Sequence, residues 1–307
     1  MRVDVIIPTL RPGARFLSLL QRLEEQTCPV NRVIVMNTEE ERAGDPWDDP
    51  DFFARHPKVV VKNLKPEEFD HGATRNEGVA LSDADIFVCM TQDALPADRE
   101  LIRRLADALC AEGRIAVAYA RQLPEENSGR IERFTRQFNY PERSAVKGQA
   151  DLARLGIKTY FCSNVCAAYR RDVFDRLGGF TSPTIFNEDM IFAAGAVKAG
   201  FKIAYAADAR VVHSHNYTGR QQFSRNFDLG VSHAQYPKVF ADVPPEGEGM
   251  RLVGRTAAYL LRTCPWLLPR LIWQSGAKWA GYRMGRRYDR LPLWLVKRCS
   301  SQKTYWK

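Results

Sequence analysis

The sequence lacks the glycine-rich phosphate-binding loops that many nucleotide-binding α/β proteins carry. No Gly-x-Gly-x-x-Gly follows the first predicted strand, which argues against a dinucleotide-dependent dehydrogenase. No Gly-x-x-x-x-Gly-Lys-Ser/Thr is present, which excludes a P-loop nucleotide hydrolase. The glycine-rich loop with a nearby lysine that a sugar nucleotidyltransferase would use is also missing. If a nucleotide binds, other groups must hold it.

Long apolar segments and paired cysteines are missing as well. No run reaches the roughly 18–20 uninterrupted apolar residues of a membrane span. Charged residues and Pro8 interrupt the first residues, so we expect no signal peptide. The seven cysteines are odd in number and scattered, and Cys162 and Cys166 have no second pair with metal-site spacing. We expect reduced thiols and a cytosolic protein.

Acidic residues are nearly missing from the end of the chain. Residues 251–307 contain 13 Lys and Arg against one acid, Asp289, and five of the six Trp. The preceding residues carry 32 basic and 35 acidic side chains, a net charge of −3, so the +12 of this tail makes the whole chain positive, at +9. A turn-rich stretch at 244–249 predicts a boundary between a domain at 1–245 and a helical basic appendage at 246–307.

Apolar runs separated by helical patterns predict an α/β fold. Four strands are expected at 3–8, 32–36, 58–62 and 86–90, and a helix between the first two buries Phe16, Leu19, Leu20 and Leu23. Strands alternating with helices at this spacing indicate βαβ units and a parallel sheet.

The fourth strand ends abruptly in Thr91, Gln92 and Asp93, and Pro96 stops its continuation. Ligands of open α/β sheets lie beyond the carboxyl ends of strands, where a carboxylate is suited to hold a divalent cation and a phosphate. Alternatively, Asp93 caps a following helix. This segment alone does not decide between the two.

A second polar turn, Phe-Asp-His-Gly-Ala-Thr-Arg-Asn at 69–76, lies between the third and fourth strands. We expect a helix from about Ala73, whose first turn presents Arg75 and Asn76 to the carboxyl edge of the sheet. A helix N-terminus favours anions, and Arg adds a bidentate phosphate donor. The concentration of Asp70, His71, Arg75 and Asn76 in one turn favours function over an ordinary surface helix.

Several motifs together resemble the inverting glycosyltransferases of family 2, which have the GT-A fold, and within them bacterial rhamnosyltransferases. The resemblance covers residues 3–233 and depends on the order of the motifs. They are Val-Ile-Ile-Pro-Thr at 5–9, the 69–76 turn, Thr-Gln-Asp-Ala at 91–94, Asn-Glu-Asp-Met at 187–190 and Val-His-Ser-His-Asn-Tyr at 212–217. It implies a Rossmann-like mixed, mainly parallel sheet flanked by helices, with a nucleotide-binding half at 1–96 and an acceptor half at 97–245.

The resemblance assigns the donor site. Thr9 and Asn37 match positions that contact the nucleoside, with Asn37 replacing the usual Asp, and Arg75 matches the basic residue beside the base and diphosphate. Thr91-Gln92-Asp93 takes the place of the family's Asp-x-Asp motif, so Asp93 is its one anionic metal ligand. The predicted donor-binding residues are Thr9, Asn37, Asp70, Arg75, Asn76, Thr91, Gln92, Asp93 and Asn164.

A metal-binding His is implied in the segment that contains His213 and His215. The two would face the same way on a strand, and we expect one ligand and one neighbour. Mg²⁺ prefers oxygen ligands, whereas Mn²⁺ tolerates imidazole better. The expected cofactor is therefore Mg²⁺ or Mn²⁺, which would neutralise the leaving nucleoside diphosphate.

The acceptor half supplies the predicted base. A strand at 158–169 would place Asn164 near the donor sugar, and a helix is expected to begin near Glu188 and Asp189. Carboxylates are favoured in the first turn of any helix, which is the alternative explanation for both. An inverting transfer needs one carboxylate to deprotonate the acceptor hydroxyl. The resemblance gives this role to Asp189, with Glu188 positioning the acceptor.

Arg220 and Arg225 follow the His segment, either in a loop that closes over the diphosphate or on a solvated helix face. Arg interleaved with Trp and Leu in residues 251–307 predicts interfacial helices on an anionic membrane, although these residues would also suit packing against the domain.

The predicted function is metal-dependent transfer of a sugar, L-rhamnose from dTDP-rhamnose, to a saccharide or lipid-linked saccharide in surface polysaccharide synthesis. Alternatives are a UDP-hexose-dependent transferase, an inactive GT-A assembly subunit and a nucleic-acid binder that uses the tail. Nucleic-acid binding is not expected, because the body is slightly acidic and the tail has no recognised motif. We expect a cytoplasmic protein, peripheral on the inner face of the membrane.

Overall fold

A nine-stranded sheet forms the centre of the computed structural model, which describes residues 1–39, 44–241, 243 and 246–306. The strands are β1 (Val3–Leu10), β2 (Arg32–Thr38), β3 (Val59–Leu64), β4 (Ile86–Met90), β5 (Leu95–Pro96), β6 (Ile115–Leu123), β7 (Ala145–Lys147), β8 (Cys166–Arg170) and β9 (Lys202–Val212). Their order across the sheet is β3-β2-β1-β4-β8-β6-β9-β5, and β7 pairs with β9.

The amino-terminal half of the sheet is parallel, from β3 through β2 and β1 to β4. All four strands predicted from the sequence are present. The bounds of β4 agree with the prediction, and β1 and β2 continue two residues further, to Leu10 and Thr38. Because the strands are parallel, their carboxyl ends meet along one edge of the sheet.

The other half is mixed. Strand β8 runs antiparallel to both β4 and β6, while β6 is parallel to β9. The predicted Rossmann-like mixed sheet flanked by helices is therefore confirmed.

The strand predicted at 158–169 is wrong over most of its length, since β8 begins only at Cys166. The buried amine of Lys147 donates to the carbonyls of Lys158 (2.9 Å) and Phe161 (2.7 Å). These carbonyls are therefore bonded to a side chain, and residues 156–159 form a 3₁₀ turn.

Helices cover both faces of the sheet. They are α1 (Ala14–Glu24), α2 (Phe52–Arg55), α3 (His71–Ala80), α4 (Leu101–Cys110), α5 (Arg130–Asn139), α6 (Leu152–Leu155), α7 (Arg171–Arg176), α8 (Glu188–Lys198), α9 (Gly219–Gln235), α10 (Pro237–Phe240), α11 (Glu246–Thr263), α12 (Leu268–Gly285) and α13 (Leu293–Cys299). The four apolar residues predicted to form the inner face of α1 are all buried. Helix α8 begins at Glu188, as predicted.

The basic tail packs onto the domain through α9 and α12. A Cβ at Gly281 would collide with the Phe223 carbonyl, and one at Gly285 with the Phe227 carbonyl, so only glycine permits this approach. Residues 244 and 245 of the predicted boundary lie outside the described residues. Residues 246–249 belong to α11, so this part of the predicted turn-rich linker is helical.

Neither a disulfide nor a membrane-spanning helix is found among the described residues. All seven cysteines are free thiols in the described structure. Within the described ranges, no helix is both long enough and apolar enough to cross a bilayer.

Candidate functional site

Polar side chains line the edge where β1, β2 and β3 end. Thr9, Asn37 and Asn63 occupy neighbouring register positions on the three strands. Thr9 Oγ1 donates to Asn37 Oδ1 (3.1 Å), and Asn37 Nδ2 donates to Asn63 Oδ1 (3.2 Å) and Asp45 Oδ2 (3.1 Å). The structure thus joins two predicted residues to two that sequence reasoning missed. The signal for Asn63 was its position at the end of a strand next to Asn37.

Asp93, His213 and His215 come together at the same edge, with one potential ligand atom from each lying within 4.8 Å of the others. Asp93 Oδ2 lies 3.2 Å from His215 Nε2, and Asp93 Oδ1 lies 3.5 Å from His213 Nε2. Strand β5 follows Asp93 and pairs Leu95 with Val212, which brings the two segments together. The alternative that Asp93 caps a helix is wrong, because the next helix begins only at Leu101.

The ring of His213 is oriented by Gln122 on β6. His213 Nδ1 lies 3.1 Å from Gln122 Oε1, an atom that also accepts from Arg136. Because a guanidinium can only donate, Arg136 sets the orientation of the Gln122 amide. Gln122 Nε2 then donates to Tyr140 Oη (2.6 Å) and Ser163 Oγ (3.0 Å). His213 must therefore donate through Nδ1. Its Nε2 lone pair is left on the side of His215 Nε2 (3.1 Å) and Asp93 Oδ1 (3.5 Å). Sequence reasoning missed Gln122, which carries no local motif.

Protonation states in this cluster suit a cation. Burial lowers the pKa of His213 to about 3, so its imidazole is neutral near neutral pH. Burial alone would raise the pKa of Asp93, but its interactions with His215 and His213 outweigh that effect and hold the pKa below its usual value. One carboxylate and neutral imidazole nitrogen make up a donor set that a divalent transition metal accepts.

Arg15 on α1 ties the two halves of the cluster together. Its Nε donates to the Asp93 carbonyl (2.7 Å), and its Nη2 donates to the Val212 carbonyl (3.2 Å). An ion pair with Glu125 (2.7 Å) fixes the guanidinium. Sequence reasoning missed Arg15, since only the tertiary fold brings residues 15, 93 and 212 together.

The side chain of Gln92 is hydrogen-bonded to the end of β1. Its side-chain amide bonds both backbone groups of Leu10, accepting from N (2.9 Å) and donating to O (3.0 Å). It fastens the loop that contains Thr91 and Asp93 to the end of β1. Its predicted contact with the donor stays a prediction, and so does that of Thr91.

The predicted carboxylates lie at the start of α8. Asp189 is half-buried, and its two oxygens accept from Asn164 N (2.9 Å) and Met190 N (2.7 Å). Glu188 is buried and accepts from Asn164 Nδ2 (2.9 Å), which places Asn164 between the two acids. Asn187 introduces the helix with a left-handed backbone, φ 77°.

Arg75 is also buried, and it pairs with Glu188 at 3.2 Å. Its Nη1 donates to the His71 carbonyl (3.0 Å), while its Nε has no hydrogen-bond partner within the described residues. The sequence predicted an Arg75 that faces the diphosphate and a Glu188 that contacts the acceptor. In this structure each is the charged partner of the other, and their predicted contacts with substrate stay predictions.

The two acids have opposite pKa shifts. Burial would raise the pKa of Glu188, but Arg75 and His71 outweigh it, so the carboxylate stays ionised. For Asp189, burial and the negative charge of Glu188 raise the pKa above its usual value, against two backbone hydrogen bonds that lower it. Two adjacent acids with separated pKa values are typical of acid–base sites.

The 69–76 turn holds the segment that leads into α8. Helix α3 begins at His71, two residues before the predicted start, and Asp70 caps it through Gly72 N (3.0 Å) and Ala73 N (2.7 Å). Asp70 Oδ2 also accepts from Thr184 N (2.6 Å), and the Asn76 amide pairs with both backbone groups of Phe180 (2.8 and 2.9 Å).

Gly72 completes this contact, because a Cβ there would collide with the Thr181 carbonyl. In this structure Asp70 and Asn76 bond to the 180–184 segment. Their predicted contacts with the donor stay predictions.

Arg220 and Arg225 lie on α9 and not in a loop. Arg220 is exposed, whereas Arg225 is half-buried with its guanidinium over the rings of Tyr217 (4.9 Å) and Phe186 (5.5 Å). Phe186 directly precedes the Asn187-Glu188-Asp189 segment, so α9 is joined to the carboxylate site.

Comparisons with known proteins show the family of the chain. The Glycosyl transferase family 2 model matches residues 4–178. The chain is 39% identical over 308 residues to the O-antigen chain rhamnosyltransferase RfbN of Salmonella typhimurium, covering 100% of this chain and 96% of the relative. It is 37% identical over 305 residues to the O-antigen chain rhamnosyltransferase WbaN of Salmonella anatum, covering 98% and 95%.

Solved structures share the fold at low identity. The mannosyltransferase PcManGT from Pyrobaculum calidifontis, in complex with GDP-Man and Mn²⁺, aligns with a TM-score of 0.59 at 19% identity, covering 99% of this chain and 84% of that one. S. aureus TarS 1–349 in complex with UDP-GlcNAc aligns at 0.54 with 16% identity, covering 94% and 92%. The fold is GT-A-like, and the chain belongs to glycosyltransferase family 2, as an inverting-type glycosyltransferase.

Proposed function

We propose that this chain transfers L-rhamnose from dTDP-L-rhamnose to a saccharide or lipid-linked saccharide during surface polysaccharide synthesis. The observation that carries the proposal is near full-length identity, 39% and 37%, to two O-antigen chain rhamnosyltransferases. Transfer from a UDP-hexose is the alternative, because no residue in the site distinguishes a deoxysugar.

Asp189 is the proposed base. As the acceptor hydroxyl oxygen attacks the anomeric carbon, its proton passes to Asp189, and the bond from that carbon to the nucleoside diphosphate breaks. The raised pKa makes Asp189 a stronger base than an ordinary carboxylate, and its partial exposure leaves it open to a substrate. Glu188 is buried and paired with Arg75, so we assign it no direct contact with the acceptor. Its proposed role is to position Asn164 and to place a negative charge beside Asp189.

Asp93 and His213 are the proposed metal ligands, with His215 as the neighbour. The ring of His213 is buried and held by Gln122, whereas His215 is about a third exposed. A histidine that binds a metal through one ring nitrogen commonly donates a hydrogen bond from the other nitrogen to such a partner. A bound Mn²⁺ or Mg²⁺ would supply positive charge to the leaving diphosphate. The imidazole ligand favours Mn²⁺ over Mg²⁺.

Thr9, Asn37 and Asn63 are the proposed contacts for the nucleoside. They form a hydrogen-bonded row at the carboxyl edge of β1, β2 and β3, beside the metal cluster on the loop after β4. Such an edge is where open α/β sheets bind nucleotides.

We also propose that the tail contacts an anionic membrane surface on the cytoplasmic side. Part of the tail packs inward through Leu260, Leu271 and Val296, which are buried. Several of its aromatic and aliphatic side chains nevertheless stay 65–72% exposed: Trp266, Ile272, Trp273, Trp279 and Trp294. Exposed Trp among 13 basic residues suits the interface of an anionic bilayer.

Donor hydrolysis without acceptor tests the function. In a panel of dTDP-L-rhamnose, UDP-glucose and UDP-galactose with Mn²⁺, we expect turnover of dTDP-L-rhamnose, measured as released dTDP. Turnover of UDP-sugars alone would contradict the donor assignment, and no turnover of any donor would favour an inactive subunit.

Asp189→Asn should lower transfer to an acceptor glycan about 100-fold or more but keep dTDP affinity, since the base acts on the acceptor.

Paired histidine variants test the metal site. We expect His213→Ala to weaken Mn²⁺ binding at least tenfold, as measured by electron paramagnetic resonance, and His215→Ala to weaken it less. Asp93→Asn should abolish binding, because it removes the anionic ligand. The opposite order for the two histidines would contradict the assignment of His213 as the ligand.

Vesicle binding tests the membrane proposal. Deletion of 251–307 would uncover the α9 surface, so point variants are better suited. Trp266→Ser with Trp294→Ser should reduce co-sedimentation with phosphatidylglycerol vesicles, because two exposed aromatic anchors are lost. Phe53→Ser, at a 47% exposed side chain in the domain, is the matched control. Equal sedimentation of all three proteins would refute membrane contact through the tail.

A further inference from the structure

A cleft separates the metal cluster from the tail. One wall is the first turn of α5, from Gly129 to Glu132, and another is the 215–217 segment, which includes His215. The opposite wall is the tail helix α12, with Arg270, Gln274 and Lys278. The cleft is therefore complete only when the tail is in place on the domain.

The cleft-facing residues of α12 are spaced at helical intervals. Positions 270, 274 and 278 are four residues apart, so they share one side of the helix. Gln274 Nε2 donates to the Tyr217 carbonyl (3.3 Å), which orients this side towards the metal-binding segment. Trp273 packs so closely over Gly219 that a Cβ there would collide with the indole. Together with the close backbone packing of Gly281 and Gly285 on α9, these contacts determine which side of α12 faces the cleft.

Positive charge in the cleft is not neutralised. The side chains of Arg130, Arg270 and Lys278 line it, and among the described residues none of these three side chains has an acidic partner within 4.0 Å or a hydrogen bond. The acid in the cleft, Glu132, is already paired with Arg136 (2.7 Å). Burial lowers the pKa of Lys278, against the opposing effect of Glu132. Arg130 and Arg270 are exposed at the rim of the cleft and Lys278 is half-buried. Three neighbouring cations repel one another, and an anion bound between them relieves that repulsion.

We propose that this cleft is a subsite for a phosphate or diphosphate group of a substrate, with Arg130, Arg270 and Lys278 as its cationic ligands. The chemistry of the site rests on these residues. The identity of the substrate rests on the proposed function, in which the group belongs either to the nucleotide donor or to a lipid-linked acceptor. In both cases the tail contributes to substrate binding and is part of the active enzyme.

Binding of inorganic pyrophosphate tests the subsite without reference to transfer. Isothermal titration in the presence of EDTA removes any contribution of a metal at Asp93. We expect Lys278→Gln and Arg270→Gln each to weaken binding at least fivefold, because each removes one charge-assisted contact. The matched control is Arg262→Gln, on the exposed surface of α11, which should bind as the wild type does. Equal affinity in all four proteins would overturn the proposal, provided their thermal unfolding midpoints agree.

Kinetics of the same variants then identify the source of the phosphate. A raised KM for the nucleotide sugar in acceptor-free hydrolysis assigns the cleft to the donor. A raised KM for a lipid-linked acceptor during transfer assigns it to the acceptor. If neither KM rises, the cleft is not a substrate subsite and the proposal fails. Because pyrophosphate binding is measured separately, failure of the rhamnosyltransfer proposal would be seen independently.

Discussion

The buried ion pair between Arg75 and Glu188 is the interaction on which the rest of the site depends. Both side chains have about 5% of their surface exposed, so each charge relies on the other for neutralisation. Removing one partner of such a pair typically costs about 3–5 kcal/mol. The pair joins α3 to the first turn of α8, and Asn164 adds a hydrogen bond to Glu188 and another to Asp189. The position of Asp189 therefore follows from it.

The same pair determines the charge around Asp189. Arg75 keeps Glu188 ionised, and the ionised Glu188 in turn raises the pKa of Asp189. Asp70, Gly72 and Asn76 hold the 180–184 segment against α3, so the pair is kept in register. In this structure the 69–76 motif supports the carboxylate site, and within the described residues Arg75 Nε has no hydrogen-bond partner.

Local sequence predicted those parts of the molecule whose causes are local. The bounds of β4, the start of α8 and the buried face of α1 each follow from a short apolar pattern or a helix-start signal. The cluster of Asp93 with His213 and His215 was predictable because strand ends meet at one edge of a sheet, and the family resemblance supplied the histidines.

Contacts between distant segments were not predictable in the same way. Arg15 donates to the carbonyls of Asp93 and Val212, which lie 78 and 197 positions further along the chain. Gln122 orients His213, which lies 91 positions further along. Neither has a sequence signal near its own position. The tail was interpreted from charge and Trp content as an appendage, yet Gly281 and Gly285 let it pack tightly on α9. The composition of the tail indicates a basic, Trp-rich surface, but it does not indicate which residues of the domain the tail contacts.

The pH dependence of kcat/KM for transfer tests the central claim most directly. If Asp189 is the base, activity in the wild type falls as the pH drops through its raised pKa. Glu188→Gln keeps the side-chain oxygen that accepts from Asn164 but removes the neighbouring negative charge. The account predicts that the acidic limb moves to lower pH in this variant, with an unfolding midpoint high enough for assay. A limb that stays in place, or moves to higher pH, would contradict it.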